Sequence, residues 1–91
     1  MSYVEKFNEL ARMVKGITRV TALTDEEIVS IALKLHEIVT LMPPEMQERV
    51  IIELSTGKMV KYKDLPRRFA EDAEFRANFM MALRHYADAV L

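Results

Sequence analysis

Cysteine is absent from the chain, and glycine is scarce. Without cysteine there is neither a disulfide framework nor a thiolate ligand for zinc. Only two glycines occur, so little of the backbone suits the tight loops that catalytic sites often use. No run of about 18 apolar residues exists that could span a membrane. Glu5 and Glu9 interrupt the apolar residues of the N-terminus, which is wrong for a signal peptide. We therefore expect no membrane association and a reducing, cytoplasmic location.

The length and composition are those of one folded unit. A chain of 91 residues is the size of a small domain. Apolar residues make up 51% of it and charged residues 30%, which is too hydrophobic for a disordered acidic or basic tail. We predict a single helical domain covering residues 1–91.

The strongest structural signal is the segment 24–42. Thr24, followed by Glu27 three residues later, predicts a capping box at the start of a helix. Beyond the cap, apolar residues recur at helical spacing over most of the circumference, which is typical of a central helix with neighbours on two sides. These residues are Ile28, Ile31, Leu35, Ile38, Val39 and Met42.

The same reasoning predicts three further main helices, near 2–15, 44–56 and 72–90, and a short helical turn near 64–70. Ser2 is a candidate N-cap for the first helix, and Pro44 suits the first turn of the third. Gly57 is placed to end the third helix. Residues 17–23 are β-branched but have no convincing partner strand, so we expect a linker that lays Ile17 or Val20 on the core. The predicted fold is all-α, a compact bundle of four main helices.

The two histidines do not form a recognisable metal motif. His36 and Glu37 resemble the start of the HExxH zinc motif, but Thr40 stands where the second histidine must be. His85 lies far along the chain, so a metal site would need folding to bring both rings together with Glu37 or Asp88. We predict no metal site.

Motifs for catalysis and for cofactor binding are also incomplete. Gly57-Lys58 resembles the end of a phosphate-binding loop, but Ile52 and Met59 occupy the positions of the required first glycine and the final hydroxyl. No GxSxG sequence is present, and each serine has an explanation as a helix cap, a polar face or a helix end. We predict that the protein is not an enzyme and uses no cofactor.

Positive charge is concentrated in residues 58–68, which we call the basic segment. It holds five basic side chains and one acidic side chain in a protein whose net charge is −1. Lysine and arginine there could contact phosphates, and Tyr62 could stack on a base. The same cations could instead meet an acidic protein surface, or could simply be solvated. The candidate binding residues are Lys58, Lys61, Tyr62, Lys63, Arg67 and Arg68.

The C-terminal helix carries more apolar surface than one narrow stripe provides. Met80 and Met81 are adjacent and diverge by about 100° around the helix, so one of them must face a second helix or a partner. The helix also runs apolar to Leu91 without a polar cap. We expect self-association as a dimer, although burial within the monomer is an equal alternative. The residues concerned are Phe75, Phe79, Met80, Leu83 and Tyr86.

Two functional hypotheses follow. The first is a small non-enzymatic helical interaction protein, such as a regulator, adaptor or inhibitor, that docks on a protein partner and self-associates through its C-terminal helix. The second is a nucleic-acid-binding module that uses the basic segment 58–68. Glu45, Glu48 and Glu53 on the predicted third helix would repel a phosphate backbone, which argues against a helix-turn-helix mode of binding.

Overall fold

A computed structural model describes residues 2–17, 19–52 and 57–91. Within them lie five α-helices and one β-hairpin, and a short 3₁₀ turn, Tyr62–Asp64, follows the hairpin. The fold is the predicted all-α bundle, to which the structure adds a small two-stranded sheet. The elements are α1 (Tyr3–Lys15), α2 (Asp25–Leu41), α3 (Pro44–Gln47), β1 (Val50–Ile52), β2 (Met59–Lys61), α4 (Leu65–Glu71) and α5 (Ala73–Val90).

Side-chain caps set the starts of the three long helices. Ser2 Oγ accepts a hydrogen bond from the Glu5 amide at 3.2 Å, as predicted. The predicted capping box of α2 is complete, because Thr24 and Glu27 each accept a hydrogen bond from the other's amide. Asp72 accepts from the Phe75 amide at 3.0 Å and so caps α5. These bonds satisfy amides that have no partner within the helix.

The four longer helices form a closed ring around one core. Helix α2 packs against α1 and α4, and α5 packs against the same two helices. This confirms that α2 has neighbours on two sides. The largest side chains with less than 2% of their surface exposed come from all four helices: Leu10, Val14, Ile31, Leu35, Phe69 and Met80.

The third helix is much shorter than predicted. Helix α3 ends at Gln47, and Val50–Ile52 form β1, which pairs antiparallel with β2. Three consecutive β-branched residues lose side-chain freedom in a helix but pack well on a pleated strand, and Met59–Lys61 supply the strand they need. Gly57 does not end a helix but lies in the connection between the strands, where its φ of 72° favours glycine. Residues 53–56 lie outside the described part of the chain.

Other details of the prediction are confirmed. The helical turn near 64–70 and the helix near 72–90 are separate, as predicted, because the extended backbone of Asp72 lies between α4 and α5. Ile17 and Val20 of the linker pack against the core. Met80 is fully buried, whereas Met81 is 56% exposed, so the two methionines do face in different directions.

Two leucines of α2 provide a matched test of this packing. Leu35 is fully buried and Leu33 is 62% exposed. We expect Leu35→Ala to lower the free energy of unfolding by about 2–5 kcal/mol, because it leaves a cavity in the core. Leu33→Ala should change it by only about 0.5 kcal/mol. Urea unfolding of both variants measures the difference, and equal losses would contradict the orientation of α2.

Candidate functional site

The basic segment extends from the hairpin connection through β2 and the 3₁₀ turn into α4. Its lysines therefore lie on and beside the hairpin, and its two arginines lie on α4. The hairpin itself sits in the connection between α2 and α4. A segment that was contiguous in sequence is thus divided between a sheet and a helix.

Glu48 is the main partner of the hairpin lysines. Lys61 Nζ lies 3.0 Å from Glu48 Oε2, and Lys63 Nζ lies 2.8 Å from Glu48 Oε1. The hydrogen bonds from Lys63 and Lys61 lower the pKa of the Glu48 carboxyl below its ordinary value. The same bond to Glu48 raises the pKa of Lys63. One carboxylate therefore holds two ammonium groups at the surface.

The remaining cations of the basic segment also have carboxylates beside them. Arg67 lies 3.6 Å from Asp64 and 3.7 Å from Glu71. Arg68 lies 3.4 Å from Asp72, and its guanidinium stands over the Phe75 ring at 5.4 Å from the centroid. The pKa of the Asp72 carboxyl is lowered, chiefly by the hydrogen bond from the Phe75 amide, with charge contributions from Arg68 and Lys58.

These pairs reduce the positive potential that a phosphate backbone would meet. The segment has five basic side chains, and the carboxylates of Glu48, Asp64, Glu71 and Asp72 stand close to them. Nucleic-acid affinity depends on cations that release counterions from phosphates, and cations already paired contribute less. The local structure therefore weakens the electrostatic basis of the nucleic-acid hypothesis.

Tyr62 is also less available than its sequence position indicates. Its side chain is half-buried and packs against the core cluster, and its amide donates to the Arg49 carbonyl at 3.0 Å. A base-stacking aromatic needs an open ring face. Tyr62 serves here to attach the end of the hairpin to the bundle.

The hairpin is apolar on both of its faces. The cross-strand pair Ile51 and Val60 points inward, where Val60 is 4% exposed and Ile51 packs against the core. Because side chains alternate along a strand, positions 50, 59 and 61 share the outward face. On that face Val50 is 46% exposed and Met59 is 71% exposed. We call this face, with Lys61, the outer hairpin surface.

Both edges of the hairpin carry backbone groups that point away from it. The hydrogen bond from the Tyr62 amide to the Arg49 carbonyl makes positions 49 and 62 a hydrogen-bonded pair. Hydrogen-bonded and non-bonded pairs alternate in an antiparallel ladder, so the amides and carbonyls of Met59 and Lys61 point outward from β2. In the described residues the sheet has no third strand to meet them.

The residues predicted to mediate self-association are all engaged within the monomer. Phe75, Met80 and Leu83 are at most 5% exposed. Phe79 stacks on Phe75 and meets Phe69 edge-on. Tyr86 packs on Phe7 and donates a hydrogen bond to Asn8 Oδ1 at 2.8 Å. This packing corresponds to the alternative of burial within the monomer, and self-association through these residues stays a prediction.

Other kinds of site find little support in the described residues. His36 and His85 are both exposed, and residues 2–17, 19–52 and 57–91 contain no group of three acidic or histidine side chains that could hold a metal ion.

An open cleft of about 370 Å³ lies between the end of α1 and the first turn of α2, with an apolar floor that includes Met13 and Ile31. No helix in these ranges has the length and hydropathy needed to cross a membrane.

Comparison with known proteins identifies no relative. No protein-family model matches the chain, and neither the curated proteins nor the solved structures contain a match. Any functional conclusion must therefore come from this chain's own residues.

Sequence reasoning selected the basic segment but missed Glu48 and Val50 as parts of the same region. Glu48 lies 13 and 15 residues before its two lysines, a separation that no local pattern connects. The weak alternation of residues 58–63 was a signal for a strand. The β-branched run 50–52 was the corresponding signal for its partner.

The carboxylate that joins the two lysines can be tested by titration. We expect the pKa of Glu48 measured by NMR to lie below the ordinary value of a glutamate carboxyl and to return toward that ordinary value in the Lys61→Met, Lys63→Met double variant. Because its folded pKa is depressed, Glu48 contributes stability above the unfolded pKa of about 4.3, which is lost as the pH falls through the folded value. Glu27, whose pKa is lowered chiefly by the Thr24 amide, should not change in the double variant. An ordinary Glu48 pKa in the parent protein would contradict the described geometry.

Proposed function

We propose that this chain is a non-enzymatic helical interaction domain that docks on a protein partner through its outer hairpin surface. The observation that carries the proposal is the two-sided apolar character of the hairpin. An antiparallel sheet on a protein surface normally has one face in the core and one polar face in water. Here Val50 and Met59 take outward positions that are normally polar.

The hairpin differs from the other exposed apolar residues of the protein. Val29 and Leu33 on α2 and Met81 on α5 are also exposed, but single aliphatic side chains on a helix surface are ordinary. The hairpin combines exposed apolar side chains with outward backbone groups that, within the described part of the chain, have no strand beside them. Strand edges of this kind are a recurring means of binding extended peptides.

Two further observations support protein binding over nucleic acid. Carboxylates among the cations lower the net positive charge of the basic segment's surface and so its attraction for a polyanion. Tyr62 packs against the core rather than lying open. The regulator, adaptor or inhibitor role predicted from sequence fits such a domain. A second copy of this chain is one candidate partner, and it would use the hairpin rather than the buried stripe of α5.

Site-specific photo-crosslinking tests the proposal. A benzophenone amino acid at position 59 should give a discrete protein adduct in a native lysate, because Met59 lies on the proposed surface and is 71% exposed. The matched control is the same amino acid at position 81, since Met81 is also exposed but lies on α5. Adducts are detected as shifted bands and identified by mass spectrometry.

The control decides how the result is interpreted. An adduct that forms at position 59 and not at position 81 supports docking through the hairpin, including the case in which the adduct is a dimer of this chain. Adducts of equal intensity at both positions, or none at position 59, would overturn the proposal.

A further inference from the structure

Two lysines and one glutamate form an exposed cluster in which the carboxylate of another molecule could replace that of the glutamate. Lys61 and Lys63 both donate to Glu48, and the three side chains are 45%, 44% and 53% exposed. Ion pairs this exposed contribute little to stability. A carboxylate from another molecule could therefore take the place of Glu48 between the two ammonium groups.

The edge of β2 lies beside this pair of lysines. The outward amides and carbonyls of Met59 and Lys61 offer a template for one more strand. Lysines on an edge strand oppose pairing with apolar or basic strands, so an acidic strand is the one they favour. The residues of β1 itself, Val50–Ile52, include no charged side chain, so charge complementarity selects β2.

We propose that the partner binds as an extended acidic segment that adds a strand to the outward edge of β2. This inference rests on the proposed function and specifies the chemistry of the partner. A carboxylate of the segment replaces Glu48 between Lys61 and Lys63. An apolar side chain two positions away covers Met59, because alternate residues of a strand share one face. Glu48 is thus an internal competitor for the partner's carboxylate.

The role of Glu48 gives the proposal a distinctive signature. Glu48→Gln removes the competing charge while keeping the size of the side chain, so it should tighten binding of an acidic strand by roughly two- to fivefold. The Lys61→Met, Lys63→Met double variant should weaken it at least as much. Met81→Lys, on an exposed position of α5, should leave it unchanged.

Fluorescence anisotropy with a defined probe measures these changes. The probe is a labelled peptide of about seven residues in which threonine occupies every second position and the positions between are glutamate and valine in turn. A carboxylate and an apolar side chain then lie two positions apart on one face, and the peptide is long enough to cover a short strand. One control peptide replaces glutamate with lysine. A second control has the acidic sequence with N-methyl groups on alternate amides, which removes the donors that a strand added to β2 requires. Mixed-sequence DNA serves as a general polyanion.

The acidic peptide should bind the Glu48→Gln protein most tightly, the parent protein less tightly and the double lysine variant most weakly. Neither control peptide should bind. Failure of the acidic peptide to bind the Glu48→Gln protein at low salt would overturn the inference. So would equal binding of the N-methylated peptide, or tighter binding of DNA than of peptide. If position 59 still crosslinks a protein in the lysate, this inference alone fails; if it does not, the proposed function fails as well.

Discussion

The inward pair of the hairpin, Ile51 and Val60, is the contact on which the proposed surface depends. Strands of three residues are too short to hold a hairpin together in water. Val60 is nevertheless 4% exposed and belongs to the same core cluster as Leu65 and Phe69. Burial of the inner face fixes the register, and the register in turn determines which residues point outward. Without this anchor, Met59 and Lys61 would have no defined position.

The chain reaches this arrangement through a series of local constraints. Pro43 and Pro44 end α2 and begin α3, because a residue before proline is driven out of the helical region. Helix α3 lasts a single turn, after which Glu48 stands just before β1. The hairpin then returns the chain to the start of α4, and Lys61 and Lys63 come beside Glu48. The same few residues thus set both the path of the chain and the charge pattern of the surface.

Sequence reasoning succeeded where the determining interactions are local. The caps at Ser2 and Thr24 and the apolar periodicity of α2 and α5 involve residues three or four positions apart, and all of them are found in the structure. It failed for the predicted helix 44–56, because Val50–Ile52 fit a helical stripe as well as a strand. Their β-branched side chains favour a strand, but it is the pairing with Met59–Lys61, seven to eleven residues further on, that decides between the two.

Only part of the candidate site could be predicted from the sequence. The reason is again that local interactions can be read from the sequence and tertiary contacts cannot. The charge of the basic segment is visible in its composition, and Asp72 lies only four residues after Arg68. Glu48, in contrast, approaches Lys61 and Lys63 only through tertiary structure. Likewise, the apolar stripe of α5 was identified correctly as a set. Whether Phe75 and Leu83 face a partner or the core depends on how the helices pack, and here they face the core.

Hydrogen exchange at the hairpin amides shows whether the inner pair anchors the hairpin and leaves the edge of β2 open, because it reports on each backbone donor separately. We expect slow exchange for Ile51 and Val60, whose amides lie within the ladder, and fast exchange for Met59 and Lys61, whose amides point outward. Uniformly fast exchange at all four positions would mean that the inner pair does not anchor the hairpin. Slow exchange at Met59 and Lys61 would mean that the edge is already covered, and either result would contradict the account.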